Sequence, residues 1–275
     1  MPARSIAVAA LVALALAAVA AFTLRAPAPG VLIEGAAASV IVTDGTPTLA
    51  ITATIRNEGA ADRLLSVASP LGKFAMLAGE EDMAGLPIPA GGAPSLAMDG
   101  AHGMLMGIGE APDPGRLIPF TLTFERAGEV AAKARVGEGE AMAGMDHAAM
   151  GHRGADHGDM DHGVDHAAGL DLPAAEAPRV ALEATKIDGG WRIAAETERF
   201  RFAPEAMDGP HAPGEGHGHL YIGGLKIMRM TAPTVEIGDL PPGRHRVRLS
   251  LNTNDHRPYR AGGAPVEATV EIDAP

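Results

Sequence analysis

The chain of 275 residues contains no cysteine. Disulfides and thiolate metal ligands are therefore excluded, and a site for a soft metal ion has to use thioethers from the 13 methionines. Aromatic residues make up only 3% of the chain, whereas 35 glycines and 22 prolines are present. Small aliphatic cores between frequent turns are expected, a composition that favours β-sandwiches over helix bundles.

Signatures of the common enzyme classes and of nucleic-acid binding are missing as well. The sequence has no Gly-rich phosphate loop ending in Lys-Ser/Thr, no Gly-x-Ser-x-Gly and no His-Glu-x-x-His. It also lacks basic clusters interleaved with aromatic residues, and its net charge is -12. We therefore expect neither an enzyme nor a nucleic-acid partner.

The N-terminus has the pattern of an export signal. Arg4 precedes an apolar run over residues 5–24, and residues 19–21 are small enough for cleavage. The run is also long enough to span a bilayer, so an uncleaved inner-membrane anchor is the competing interpretation. Both alternatives predict a periplasmic protein, with residues 1–30 outside the folded part.

The rest of the chain divides into two β regions and a linker. Alternating apolar residues at 49–55, 63–68 and 117–124 predict strands of a first domain, residues 31–136. A second domain, residues 176–275, shows hairpin patterns around residues 188–190, where Trp191 is expected to anchor the core. We predict two antiparallel β-sandwiches, the first cupredoxin-like, joined by a disordered linker at 137–175.

The first domain concentrates metal-binding side chains in one short strand. His102, Met104 and Met106 alternate, so they should point to one face, and Met106 is assigned mainly to packing. Met76 and Met83 flank a predicted hairpin that could bring two more thioethers to the same place. A single methionine is more often a core gap-filler, but three methionines with the only histidine of the domain favour a soft metal site.

This region resembles the periplasmic copper chaperones of the PCu(A)C type. The resemblance covers about residues 50–136 and is carried by residues 55–62 (IRNEGAAD), 88–92 (IPAGG), 102–107 (HGMLMG) and 119–125 (PFTLTFE). It implies a cupredoxin-like sandwich that binds Cu(I) through His-x10-Met-x21-His-x-Met and passes it to acceptors such as the copper sites of cytochrome oxidase or its assembly factors. The last three ligands fall on Met83, His102 and Met104.

The chain departs from that pattern in two ways. Between Met83 and His102 there are 18 residues instead of 21, and residues 72–76 (GKFAM) contain no first histidine. Either Met76 replaces that histidine or the site has three ligands and a lower affinity.

The linker differs in kind from both domains. It is acidic, lacks hydrophobic periodicity and cannot bury a core, which predicts disorder without a ligand. Its histidines and methionines favour metal binding over a plain solvated linker, and the thioethers favour copper over Zn or Ni, with Cu(II) as a further possibility at the imidazoles. These residues are Met142, Met145, His147, Met150, His152, His157, Met160, His162 and His166.

The second domain places histidines at turns and strand starts. His217 and His219, two residues apart, should lie on one side of a strand, and His211 or His256 would complete a site for Cu(II) or Zn. The competing interpretation, of nearly equal weight, is that these imidazoles only cap backbone groups. His245 is expected on the surface of a strand.

The sequence therefore predicts a periplasmic copper-binding protein that delivers Cu(I) to an acceptor. The alternatives are a copper-sequestration protein without a specific acceptor and a structural module whose histidines bind Zn.

Overall fold

The computed structural model describes residues 30–43, 45–79, 85–137, 142–143 and 169–275. Over these residues the chain is almost entirely β, with one 3-10 helix at Pro204–Ala206. This confirms the predicted fold class. The expected export segment and most of the Met/His-rich linker lie outside the described residues. Within the described part, no helix has the length and apolarity needed to cross a membrane.

The N-terminal unit is organised around its second strand, which pairs with the first, sixth and seventh strands. The sheet then continues from β1 through β9, β8 and β3 to β5. The strands of this unit are β1 (Val31–Thr43), β2 (Thr46–Asn57), β3 (Asp62–Ala68), β4 (Phe74–Ala78), β5 (Leu86–Ile88), β6 (Ser95–Leu96), β7 (His102–Met106), β8 (Leu117–Phe124), β9 (Gly128–Val136) and β10 (Met142–Ala143).

The alternation predicted for residues 49–55 is present in β2. Leu49, Ile51 and Ile55 are fully buried in the main core, whereas Thr52 and Thr54 between them are only partly buried. One apolar face of the strand therefore packs inward, as the period of two requires.

The C-terminal unit consists of two packed sheets and a small three-stranded one. In the larger sheet β18 lies between β15 and β21, and β21 contacts the separate β12–β13–β17 sheet through β12. Its strands are β11 (Leu170–Leu172), β12 (Arg179–Ile187), β13 (Gly190–Glu198), β14 (Arg201–Phe202), β15 (Glu215–Ile222), β16 (Leu225–Met230), β17 (Thr234–Gly238), β18 (Gly243–Asn252), β19 (Tyr259–Ala261), β20 (Ala264–Pro265) and β21 (Glu267–Ala274).

The two units share a sheet at a boundary that we call the seam. Ser95 of β6 pairs with Lys226 of β16, and the Ala101 amide donates to the Gly224 carbonyl at 2.8 Å. A Cβ on Gly100 would lie 2.8 Å from the same Gly224 oxygen, so this close approach depends on glycine. Most buried apolar residues of both units, including the expected anchor Trp191, form one continuous cluster. Residues on either side of the seam are therefore held in fixed positions.

Candidate metal centres

The predicted methionine and histidine face of the N-terminal unit is built by β4 and β7. In their antiparallel register Met76 lies opposite Met104, and Ala78 lies opposite His102. Directly opposite residues project to the same side of a sheet with their Cβ atoms about 5 Å apart. The structure thus places three thioethers, those of Met76, Met104 and Met106, and one imidazole on one side of this strand pair, which we call the Met/His face.

This face is not the one that packs into the main core. Leu105 is fully buried in the main core, whereas Met104, although only 4% exposed, packs in a separate small cluster with Ile41 and Ala50. Met98 also packs against this small cluster, and the sequence analysis did not include it. The burial of Met104 is therefore not explained by main-core packing.

The ligands on the Met/His face differ in exposure. The His102 side chain is fully buried, and its Nδ1 donates to the Gly100 carbonyl at 3.0 Å, which leaves the lone pair on Nε2. Met76 is 50% exposed. Met83 lies outside the described residues, as does the linker from Met145 to His166. Of the candidate ligands in the linker, only Met142 belongs to the described residues. Its backbone in β10 pairs with Ile41, a member of the small cluster.

A second group of metal-binding side chains lies in the C-terminal unit. One ring nitrogen from each of His217, His219 and His256 lies within 4.8 Å of the others. The Nε2 atoms of His217 and His219 are 3.0 Å apart, and the rings of His217 and His256 are 4.7 Å apart between centroids. His217 and His219 are buried, and His256 is partly buried. We call this group the three-histidine cluster.

The Gly-His-Gly-His sequence explains how β15 presents two of these rings. A Cβ on Gly216 would lie 1.8 Å from the Asn252 carbonyl oxygen, and a Cβ on Gly218 would lie 2.5 Å from Leu249. Gly216 leaves no room for a Cβ against the backbone of β18, and a Cβ on Gly218 would displace the Leu249 side chain. The strand therefore packs tightly against β18, and the alternate positions carry the imidazoles to the other face.

His256 reaches the cluster from the turn that follows β18. Its φ of 69° is a left-handed conformation, stabilised by hydrogen bonds from the Asn252 side chain to the His256 carbonyl at 3.1 Å and from the His256 amide to the Thr253 carbonyl at 3.0 Å. This conformation aims the ring back towards β15.

Two carboxylates orient the cluster, and no sequence pattern predicted either role. Asp99, in the loop of residues 97–101 between β6 and β7, lies 2.9 Å from Nδ1 of His219. Asp208 lies 2.5 Å from Nε2 of His256. Asp99 also accepts hydrogen bonds from Tyr221 at 3.1 Å and from Lys226 at 2.6 Å. No local pattern could have linked Asp99 with His219, because the contact crosses the seam.

The electrostatics keep the rings of His217 and His219 neutral and the Asp99 carboxylate charged. Burial, followed by the proximity of His219 and His256, lowers the pKa of His217 to about 3. Burial also lowers the pKa of His219, against the opposing effect of Asp99. For Asp99 itself burial acts to raise the pKa, but the His219 hydrogen bond and the Lys226 charge outweigh it and hold the pKa well below its usual range. Neutral imidazoles are the form that binds metal ions.

The remaining histidines of the C-terminal unit lie elsewhere. His211 is outside the three-histidine cluster, and its ring centroid is 6.2 Å from that of Tyr259. The prediction that His245 lies on the surface is wrong. The side chain is 4% exposed and lies on the buried face of β18 with Val247 and Leu249, and its Nε2 is 2.7 Å from the Pro241 carbonyl.

A cavity of about 510 Å³ connects the cluster with the seam. His219 and His256 line it together with Met98 and Asp99 of the N-terminal unit. Met98 therefore borders both the small cluster around Met104 and the cavity of the three-histidine cluster.

Comparison with solved structures gives matches to copper-related domains that cover about two fifths of the chain. The apo PCuAC domain from PmoF1 is 26% identical, and the match covers 40% of this chain and 96% of that domain at a TM-score of 0.35. The copper-bound PCuAC domain from PmoF2 is 23% identical over 41% of this chain and 96% of that domain, with a TM-score of 0.36. The Cu(I) form of DR1885 from Deinococcus radiodurans is 23% identical over 42% and 86%, with a TM-score of 0.30.

No curated protein matches the chain. The family model of LpqE-like lipoproteins matches residues 21–136. Residues 21–136 are thus similar to LpqE-like lipoproteins, and the described residues 169–275, which form β strands, lie outside the match.

Proposed function

We propose that this protein is a copper carrier that binds Cu(I) on the Met/His face and delivers it to an acceptor protein, such as a copper site of cytochrome oxidase or one of its assembly factors. The observation that carries this proposal is the β4–β7 register, which sets Met76 opposite Met104 and beside the position of His102. The resemblance of His102 and Met104 to the last two ligands of the PCu(A)C pattern supports it.

The donor set favours Cu(I) over harder ions. Thioethers are soft ligands that select Cu(I), and a chain without cysteine offers no thiolate to compete with them. Zn and the hard divalent ions gain little from thioethers. Thioethers beside an imidazole on a single face therefore suit monovalent copper better than any other common metal ion.

The exposure of the ligands suits transfer. His102 and Met104 are buried and would retain the metal, whereas Met76 is 50% exposed. An acceptor ligand can displace an exposed thioether first, so that copper moves by stepwise ligand exchange without being released into solution. Delivery needs no bond-breaking chemistry, so we propose a carrier and not an enzyme.

The linker and the N-terminal segment fit the same role. The linker contains five histidines and four methionines and would capture copper and raise its effective concentration near the Met/His face. The apolar run at residues 5–24 supports export, so we place the protein in the periplasm, anchored to the inner membrane if the run is not removed.

Copper sequestration without an acceptor is the second candidate. The capacity of the linker favours it, because storage needs many ligands and no docking surface. A measurement of copper transfer to an acceptor distinguishes delivery from sequestration, provided that copper bound to the linker does not obscure the result. The experiments therefore use a full-length linker-silent variant, which carries His147→Asn, His152→Asn, His157→Asn, His162→Asn, His166→Asn, Met145→Leu, Met150→Leu and Met160→Leu.

The test loads this variant with one equivalent of Cu(I) under anaerobic conditions and adds the metal-free soluble copper domain of a cytochrome oxidase. We expect copper to be found in the acceptor soon after the proteins are mixed, measured by metal analysis once the two proteins have been separated, and to appear there much more slowly when a dialysis membrane separates them. If copper stays on this protein under both conditions, the function is sequestration and not delivery. Equal rates with and without the membrane would show passive release and would also contradict the proposal.

A further inference from the structure

We propose that His217, His219 and His256 form a second metal centre, which holds a divalent cation of the imidazole-preferring class, Cu(II) ahead of Zn(II), and that Asp99 of the N-terminal unit is its positioning residue. This centre goes beyond the Cu(I) carrier function, because it uses other residues and another oxidation state. The metal site then contains ligands from the C-terminal unit and a positioning residue from the N-terminal unit.

The spacing of the nitrogen atoms fits a single metal ion. A metal–nitrogen distance of about 2.0 Å sets two ligands about 2.8 Å apart at a right angle and about 3.3 Å apart at a tetrahedral angle. The Nε2 atoms of His217 and His219 are 3.0 Å apart, closer to the right angle. Ligands opposite each other would be about 4 Å apart. Since the three ligand atoms lie within 4.8 Å of one another, side-chain movements without a change of the backbone can bring them to one ion.

The hydrogen bonds select which nitrogen binds. A carboxylate only accepts, so Nδ1 of neutral His219 carries the proton that it donates to Asp99, and the lone pair on Nε2 faces His217. In the same way Nε2 of His256 donates to Asp208, which leaves Nδ1 as the ligand atom. A carboxylate that accepts from the second ring nitrogen is the usual partner of a metal-binding histidine. Two of the three rings have one.

The structure also argues against the capping interpretation of these histidines. His217 and His219 contact each other and not backbone groups, and the Nδ1 of His217 is buried without a hydrogen-bond partner. A ring placed only to satisfy a turn would use its nitrogens on nearby carbonyls, as His245 does with Pro241.

Copper(II) fits this cluster better than Zn(II) for two reasons. Nitrogen ligands bind Cu(II) more tightly than Zn(II) in the general order of divalent metals. The near-right-angle spacing of His217 and His219 also matches the tetragonal geometry of Cu(II), whereas Zn(II) prefers a tetrahedron. The cavity beside His219 and His256 leaves room for a further ligand such as water.

Asp99 acts on the metal only through His219. Its carboxylate is held by Tyr221 and Lys226 while it accepts from the ring, so the ring orientation is fixed before any metal arrives. Loss of such an outer carboxylate typically weakens metal binding by about 10–100-fold. Because Asp99 lies in the 97–101 loop, the C-terminal centre depends on the N-terminal unit.

The test is a Cu(II) titration of the full-length linker-silent variant, followed by electron paramagnetic resonance. We expect one tightly bound Cu(II) with hyperfine splitting from imidazole nitrogens. His256→Asn should weaken binding by more than about 100-fold, because it removes a ligand. Asparagine tolerates the left-handed φ at this position, so the turn should be preserved. His211→Asn, the matched control outside the cluster, should bind as before.

The positioning role of Asp99 is tested with a second variant and a matched control. Asp99→Asn should weaken Cu(II) binding by about 10–100-fold and change the nitrogen splitting. Asp239→Asn should change neither, although Asp239 also lies 2.6 Å from a lysine, Lys186. Urea unfolding of the metal-free variants verifies that each one folds.

Several results would overturn the inference. These are the absence of tight Cu(II) binding by the folded protein, equal affinities for His256→Asn and His211→Asn, displacement of Cu(II) by equimolar Zn(II), and equal effects of Asp99→Asn and Asp239→Asn. Cu(I) affinity of His256→Asn, measured separately, should equal that of the parent. A failure of the second centre is thereby distinguished from a failure of the carrier function.

Discussion

The Asp99 carboxylate lies 2.9 Å from Nδ1 of His219, so a loop of the N-terminal unit directly contacts a candidate metal ligand of the C-terminal unit. The same loop leads into β7, the strand that carries His102 and Met104. The two candidate sites are consequently attached to one short segment of backbone, and the chain is better described as two joined units than as independent domains on a tether.

Replacement of Met104 by leucine should separate metal binding from packing. Met104→Leu keeps the volume of the small cluster and removes the thioether, so we expect Cu(I) affinity to fall by about 10-fold or more while stability changes by less than about 1.5 kcal/mol. The measurement is competition with a chromophoric Cu(I) chelator in the linker-silent variant. Met106→Leu, two residues along the same strand, is the control and should retain the parent affinity. Equal affinities for both variants would remove Met104 from the site.

Met76 should control transfer more than stability. Because its side chain is 50% exposed, Met76→Leu should leave the free energy of unfolding within about 0.5 kcal/mol of the parent. We expect the variant to bind Cu(I) more weakly and to exchange it with an acceptor at a different rate, measured by stopped-flow mixing with a Cu(I) chelator. Unchanged affinity and rate would favour a site without Met76, namely the three-ligand alternative.

The linker should contribute copper capacity without contributing stability. Its sequence has no hydrophobic periodicity with which to build a core, so the substitutions of the linker-silent variant should lower the number of copper ions bound at saturation. Metal analysis after gel filtration measures this number. The thermal unfolding midpoint of the metal-free protein should stay that of the parent, and a marked drop would mean that linker residues pack against a folded unit.

Acid should destabilise the metal-free protein through His217. Its pKa is about 3 in the folded state and about 6.5 in the unfolded chain. Between these values the unfolded chain binds more protons, so the free energy of unfolding falls by about 1.4 kcal/mol for each unit of pH decrease below about 6.5. Above 6.5 this contribution is constant, and it is also constant below 3.

Urea unfolding with a chelator present, at about pH 7.5, 6.5, 5.5 and 4.5, measures this slope. His217→Gln has no titrating ring, so its stability should depend less on pH over this range. His211→Gln should follow the parent. The assignment fails if the parent and His217→Gln lose stability in parallel.

Much of the architecture was predictable from the sequence because it depends on local periodicity. Strands expected at 49–55, 63–68 and 117–124 are found in β2, β3 and β8, since alternation with a period of two specifies a half-buried strand wherever one face packs. The same period correctly placed His102 and Met104 on one face of β7, and β4 adds Met76 to it. His217 and His219 are another pair two residues apart on a strand.

The choice of the third histidine was decided only by tertiary structure. The sequence offered His211 and His256 equally, and chain folding brings the turn after β18 to β15 while His211 lies against Tyr259. His245 is buried on the same face of β18 as Val247 and Leu249, as the period of two implies. Only the tertiary structure shows that the Pro241 carbonyl lies within hydrogen-bond distance of the buried ring.

The sequence by itself thus determined the all-β fold, the absence of thiolate chemistry and the supply of thioethers and imidazoles. Tertiary structure decided which of these side chains meet, because contacts such as Asp99 with His219 join residues far apart in the chain. No local pattern encodes a contact of that kind. It arises where β6 and β16 pair across the seam and bring the 97–101 loop against β15.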